Sequence, residues 1–244
     1  MLDGWSRIDI AGKSAEVIDP GAKPRFGLLF LHGIGGETLA DDVAYTKELR
    51  AANFACICPH GGRCWWLDRL CDEFDPAVTP EKYLLEAIVP FFAERWNLRP
   101  RALAVAGISM GGQGAIRLAF RHANIFVAAA GVASAFDFHE QYGAGTPLDD
   151  MFDSREQARQ DTALMWIPRH DHPPHIRFCI DPDDQPWFRG NDRLHEKLNA
   201  LGVPHTYDLE TRAGGHSWQY FDAMAEPTIR FLRESLETES RRLM

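Results

Sequence analysis

The 244-residue chain has no apolar run of membrane-spanning length and no run of Lys and Arg. Its 35 Asp and Glu residues against 26 Lys and Arg residues give a formal net charge of −9. A negative field of this kind repels nucleic acid and anionic membrane surfaces. The N-terminal segment carries charges without an apolar stretch between them, so we expect no signal peptide. We therefore expect a cytoplasmic protein that acts on a small molecule, without nucleic acid or membrane partners.

Cysteine is scarce, and the five residues present are an odd number. Without a secretion signal, this count favours reduced thiols over a disulfide framework. Internal repeats, low-complexity tracts and a flexible linker are also lacking. With 45% hydrophobic residues the chain can bury a large core, so we predict a single α/β domain over residues 1–244. The oligomeric state stays open, with a homodimer as one candidate.

Short apolar runs alternate with segments of helical spacing from residue 26 onward, after two alternating segments that predict half-exposed edge strands. This order predicts a mostly parallel, doubly wound sheet with helices on both faces and an insertion around residues 134–175. Ligands of such sheets bind beyond the carboxyl ends of the strands. The predicted edge strands are 7–10 and 15–18, the later strands 26–31, 54–58, 102–106, 126–130, 176–180 and 205–209, and the main helices 41–52, 80–96, 112–120, 191–201 and 217–236 with a kink or restart at Pro227.

The segment Gly107 to Gly111 reads G-x-S-x-G and lies between an apolar run and a helix-like stretch. A turn from a buried strand directly into a helix strains its central residue and leaves room only for small neighbours. It also aims the positive end of the helix at the central hydroxyl. The context therefore predicts that Ser109 is an acyl-transfer nucleophile, although the same five residues could simply form a tight turn.

A serine nucleophile needs a histidine base and a carboxylate that orients it. His216 follows two glycines in the interval between the last predicted strand and the C-terminal helix, so it is the candidate base. Three aspartates follow the penultimate strand, and among them Asp184 has the favoured offset, with Asp183 as the alternative. The order Ser109, Asp184, His216 is that of the α/β-hydrolase sheet.

Two loops offer further candidates. Gly33 would let the Ile34 amide face the site, where it and the Met110 amide would form an oxyanion hole. Trp65 and Trp66 would cover a substrate pocket if they are exposed, and core packing of one of them is an equal alternative.

Four stretches together resemble the putative-esterase family of the α/β-hydrolase superfamily, which includes S-formylglutathione hydrolases and mycolyltransferases. The resemblance implies a serine carboxylic-ester or thioester hydrolase without a cofactor, in which Ser109, Asp184 and His216 form the triad. It does not carry over the formylglutathione substrate, because the Thr-Cys of those enzymes is missing after the first buried strand. The four stretches are Leu31 to Gly36, Gly107 to Gly114, Asp181 to Asp184 and Gly214 to Trp218.

Three other hypotheses remain at this stage. The family contains transferases, so an acyltransferase of the same fold is one. A binding protein that kept the fold without its chemistry is another. The third is a metal site in the loop His170 to His175, which holds three histidines and an aspartate but precedes a strand, away from the expected ligand side. The preferred prediction includes no metal.

Overall fold

A computed structural model of the protein describes residues 1–21, 23–168 and 170–242. In these ranges one eight-stranded sheet has the strand order β1-β2-β4-β3-β5-β6-β7-β8. β1 and β2 are antiparallel to their neighbours, and the other pairs are parallel. The strands are β1 Trp5–Ile10, β2 Lys13–Ile18, β3 Phe26–Leu31, β4 Phe54–Pro59, β5 Leu103–Ile108, β6 Phe126–Val132, β7 His175–Cys179 and β8 Thr206–Asp208.

Helices cover both faces of the sheet. The longest are α7 and α9, and a π-helical segment, Leu84–Ile88, joins α2 to α3. None of the helices in the described part of the chain has both the length and the apolar character that a membrane crossing needs. The helices are α1 Val43–Ala51, α2 Pro80–Tyr83, α3 Val89–Trp96, α4 Met110–Arg121, α5 Leu148–Met151, α6 Arg155–Gln160, α7 Gln185–Leu201, α8 Trp218–Ala223 and α9 Ala225–Arg242.

The central strands β3, β4, β5 and β6 are buried along their whole length. Their apolar and small side chains contribute to two core clusters, one on each face of the sheet. One cluster includes residues of α3, α4 and α7, and the other includes residues of α1, α8 and α9. Strands buried on both faces read as continuous apolar runs. The predicted mostly parallel, doubly wound α/β architecture is therefore confirmed.

Two predicted element boundaries or positions were wrong. β2 is not an edge strand, because it lies between β1 and β4 and buries Glu16, whose carboxylate accepts hydrogen bonds from Arg7 and Thr38. α7 begins at Gln185 rather than at residue 191, since Pro186 is tolerated in the first helical turn, where its missing N–H is not needed. The predicted restart of the last helix near Pro227 is confirmed: α8 ends at Ala223 and α9 begins at Ala225, because Pro227 has no N–H to donate to the preceding turn.

A buried ion-pair cluster joins α4 to α2 and to the insertion between β6 and β7. The Arg117 guanidinium, almost fully buried, donates to Glu81 at 2.6 Å and to the carboxylate of Asp161 in the insertion. Glu81 also accepts from Arg121 at 2.8 Å and contacts His122 at 2.9 Å. Burial opposes the charge of Glu81, but these partners outweigh it and lower the pKa of Glu81 to about 2. The helix that follows residue 109 is thereby tied to the insertion.

Candidate active site

The turn between β5 and α4 holds Ser109 in a conformation that side chains rarely adopt. Its φ and ψ are 56° and −117°, and the residue is 8% exposed. The neighbouring glycines permit this geometry, because a Cβ on Gly111 would collide with the Leu31 carbonyl and one on Gly107 with the Gly111 carbonyl. Because Gly107 and Gly111 have no side chains, α4 can approach β3 closely. The Ser109 hydroxyl then lies at the carboxyl ends of the strands.

Ser109, His216 and Asp184 form one continuous hydrogen-bonded chain. The His216 Nε2 lies 3.0 Å from the Ser109 Oγ, and the His216 Nδ1 lies 2.6 Å from the Asp184 Oδ2. A carboxylate can only accept, so Nδ1 carries the proton and Nε2 is left to accept the serine proton. Asp184 is 1% exposed, whereas about a third of the His216 side chain, 32%, is exposed. The arrangement can remove a proton from the hydroxyl and return it to a leaving group.

The adjacent carboxylate has different surroundings. Asp183 is exposed and pairs with Arg212 at the surface. Of the two alternatives in the sequence, the structure therefore brings Asp184, and not Asp183, to the imidazole.

Asp181, which the sequence analysis passed over, fixes the backbone of both loops. Its fully buried carboxylate accepts from the amides of Ala213 at 2.6 Å, Gly215 at 2.9 Å and Asp183 at 2.8 Å. Burial opposes the charge, but the three amides outweigh it and hold the pKa of Asp181 below its usual range. The carboxylate thus links the end of β7 to the segment that carries His216.

The two amides expected to form an oxyanion hole belong to residues close to Ser109 in the structure: Met110 follows it, and Ile34 lines the same depression. Met110 is the first residue of α4, and Ile34 lies in a turn closed by the bond from the Gly36 amide to the Gly33 carbonyl at 3.1 Å. Neither the Ile34 nor the Met110 amide donates to another group within the described residues. Free amides at a helix start and an adjacent turn are the donors that a developing oxyanion requires.

His32 supports this turn from behind. Its Nδ1 donates to the Gly33 carbonyl at 2.6 Å, and its Nε2 accepts from the Gly61 amide at 2.9 Å. Burial lowers the pKa of His32, which keeps the ring neutral, as these two bonds require. The ring therefore joins the loops that follow β3 and β4.

The sequence left two alternatives open for the tandem tryptophans, a cover over the substrate pocket or core packing of one of them. The structure packs both in the core, so the expectation that they line the substrate pocket is wrong. Trp65 and Trp66 are each 1% exposed and belong to the core cluster on the α4 face. The Trp66 Cβ packs so closely on Gly114 that a side chain there would clash. Gly114 therefore makes room for Trp66. Because both indoles are buried, a substrate has no access to them.

A depression of about 210 Å³ opens above Ser109. One wall comes from the turn at residues 33–36, which we call the oxyanion turn, and the other comes from the start of α8. Gly33 is among the lining residues, and Trp218 and Phe221, rather than Trp65 and Trp66, form its aromatic wall. The full lining is Gly33, Ile34, Gly35, Glu37, Ile108, Ser109, His216, Ser217, Trp218 and Phe221.

The histidine-rich loop lies elsewhere. His175 begins β7, so residues 170–174 are at the end of the sheet opposite Ser109, and the His175 ring contacts Glu239 at 3.0 Å. Across residues 1–21, 23–168 and 170–242, no three His, Cys, Asp or Glu side chains are grouped as metal ligands. The geometry gives this loop no part in the site.

A family model described as Putative esterase matches residues 46–229. Solved structures with the same fold include an S-formylglutathione hydrolase from Agrobacterium tumefaciens, with a TM-score of 0.77 and 14% identity over 97% of each chain. The S-formylglutathione hydrolase FrmB from Staphylococcus aureus gives 0.76 and 16% over 94% of this chain and 99% of that one. A ferulic acid esterase gives 0.75 and 16% over 95% and 99%. No curated protein sequence matches.

Proposed function

The chain belongs to the putative esterase family, with the α/β-hydrolase fold, and is an enzyme of the ester-hydrolase class; from this premise we propose that it cleaves a carboxylic ester or thioester through an acyl-enzyme on Ser109. The observation that carries the proposal is the hydrogen-bonded chain from the Ser109 Oγ through His216 to Asp184, with distances of 3.0 and 2.6 Å.

In the first half of the reaction, the Ser109 Oγ attacks the carbonyl carbon while the His216 Nε2 takes the hydroxyl proton. The negative charge moves to the carbonyl oxygen, where the amides of Ile34 and Met110 stabilise it. His216 then gives its proton to the leaving alcohol or thiol, and the acyl group remains on Ser109.

In the second half, water attacks the acyl-enzyme. His216 takes a proton from the water, and its return to Ser109 releases the carboxylic acid. Asp184 accepts the hydrogen bond from the His216 Nδ1 and orients the ring throughout. The partial exposure of the His216 side chain supports water as the acceptor, because bulk solvent reaches the ring.

The test is hydrolysis of p-nitrophenyl acetate by the wild type and by Ser109→Ala. Loss of a nucleophile that acts together with its base should reduce kcat on the order of a millionfold. Labelling by a fluorophosphonate should disappear in the same variant. The control is Thr38→Ala, which removes a hydroxyl that donates to Glu16 and belongs to a residue outside the lining of the depression, and it should keep both signals. Equal rates for the wild type and Ser109→Ala would refute the proposal.

A further inference from the structure

The depression above Ser109 is lined by a negative charge without a Lys or Arg to balance it. Glu37 is its only formally charged carboxylate, and no Lys or Arg is among its lining residues. The chain as a whole carries a formal charge of −9, so the rest of the protein has no excess of positive charge that would offset this carboxylate. A substrate with a negative group near the ester would be repelled here.

Glu37 is directed back toward the oxyanion turn. A Cβ added to Gly35 would collide with its carboxylate, so the acid lies over the backbone of that turn rather than extending away from it. Among the described residues, no Lys, Arg or His lies within ion-pair distance of Glu37. Its charge is therefore free to meet a cation brought by the substrate.

The opposite wall supplies an aromatic surface. Trp218 is partly exposed and packs edge to face on Phe221, with ring centroids 5.5 Å apart, while Phe221 packs in the same way against His216 at 5.3 Å. Because His216 gives its proton to the leaving group, the leaving group lies on the His216 side of the ester. Trp218, two residues further along, lines that same side.

Building on the proposed function, we propose that this site selects esters or thioesters whose leaving alcohol or thiol carries an alkylammonium group, held between the Glu37 carboxylate and the Trp218 ring. Aromatic faces attract such cations, and the attraction grows when the cation loses water. A carboxylate on the opposite wall adds a Coulombic attraction that salt screens. The same carboxylate repels a leaving group that carries a negative charge.

The experiment compares three thioacetates that differ mainly in charge: acetylthiocholine, its neutral isostere 3,3-dimethylbutyl thioacetate, and the thioacetate of 3-mercaptopropionate. The released thiol is followed with a chromogenic disulfide, which the five buried cysteines of the protein are shielded from. At low ionic strength we expect kcat/KM for the cation to exceed that for the neutral isostere about tenfold, and the anion to be the poorest.

Three changes should reduce the cation-to-neutral ratio of kcat/KM: Glu37→Gln, Trp218→Leu, and added salt in the wild type. We expect a drop of about threefold or more for each substitution. The matched control is Glu86→Gln, which removes one exposed carboxylate outside the depression and should leave the ratio as in the wild type.

The outcomes separate the two proposals. Ser109-dependent turnover with a cation-to-neutral ratio near one, or with a ratio that Glu37→Gln does not change, overturns the selectivity and leaves the hydrolase proposal intact. A wild type that cleaves none of the three faster than Ser109→Ala overturns both.

Discussion

Two neighbouring carboxylates, Asp183 and Asp184, should differ sharply in their effect on catalysis. Only Asp184 contacts the imidazole, at 2.6 Å, while Asp183 forms a surface ion pair with Arg212. Asp184→Asn should lower kcat for p-nitrophenyl acetate about 10⁴-fold, because the amide favours the wrong imidazole tautomer. Asp183→Asn is the matched control, since an exposed pair contributes little, and it should stay within about twofold of the wild type. Similar losses in the two variants would contradict this assignment of the acid.

Asp181 should act on the reaction through the position of His216. Asp181→Asn replaces an acceptor oxygen by an N–H₂ group facing the amides of Ala213 and Gly215, so the loop must shift. A displacement near 1 Å can cost about a hundredfold in rate. We expect kcat and the rate of fluorophosphonate labelling to fall together by about ten- to a hundredfold, with KM nearly unchanged.

The control for that variant is Asp208→Asn. Asp208 also accepts two backbone amides, those of Glu210 and Thr211, at the end of the adjacent strand, but it does not touch the segment 213–216. It should lose stability by thermal unfolding without a comparable loss of kcat. If the two variants lose kcat equally, Asp181 has no special effect on His216.

At the scale of residues, the sequence predicted the reacting side chains better than the side chains that hold them in place. Ser109 and His216 were predicted from their positions relative to strands, which a single sequence indicates through its apolar runs. Asp181 was not, since two of its three hydrogen bonds come from a loop more than thirty residues away in the chain, at 213 and 215. Trp66 packs against Gly114 of α4, which is almost fifty residues further along the chain, and only the fold brings the two together.

At the scale of elements, the Glu81 cluster should make stability depend on pH. The pKa of Glu81 is about 2 in the folded chain against 4.5 for the free group, so its contribution is present above about pH 4.5 and is lost as the pH falls toward 2. The difference corresponds to about 3 kcal/mol. Urea unfolding should show Glu81→Gln less stable than the wild type by about this amount at pH 7, with the gap narrowing below pH 4.5.

Glu86→Gln is again the control, because its carboxylate is exposed and pairs only weakly with Lys82 at 3.9 Å. Its free energy of unfolding should match that of the wild type to within about 0.5 kcal/mol at every pH. A pH-independent gap between the wild type and Glu81→Gln would mean that the carboxylate is not the titrating group.

The sequence predicted whether a segment is a strand or a helix well, but it predicted poorly where a strand lies in the sheet and where a helix begins. The apolar run 26–31 and the Thr79-Pro80 helix start are local signals, and the structure has both. The position of β2 in the sheet is not a local property. Its alternation of apolar and polar residues fits an edge strand, and only the fold shows that Arg7 and Thr38 donate hydrogen bonds to the buried Glu16. The early start of α7 at Gln185 also escaped prediction, since Pro186 in its first turn can equally belong to the preceding loop.

For the whole molecule, the sheet order predicts a gradient of local stability. β5 lies in the middle of the parallel strands and is buried throughout, whereas the three-residue β8 is at the edge and mostly exposed. Local opening costs most where buried contacts are densest. Hydrogen exchange should be slowest at the amides of 103–108 and fastest, among the parallel strands, at 206–208. Comparable protection of the two segments would contradict a single core centred on β5.

The backbone at Ser109, with a φ of 56°, implies a conflict between catalysis and durability. Positions of this kind cost on the order of 1–3 kcal/mol, which the surrounding packing must offset. Ser109→Gly should therefore be inactive and yet melt at a higher temperature than the wild type, because glycine adopts the conformation without resistance. At this position a gain in thermal stability therefore requires the loss of the reactive hydroxyl, so the two properties cannot be improved by the same substitution.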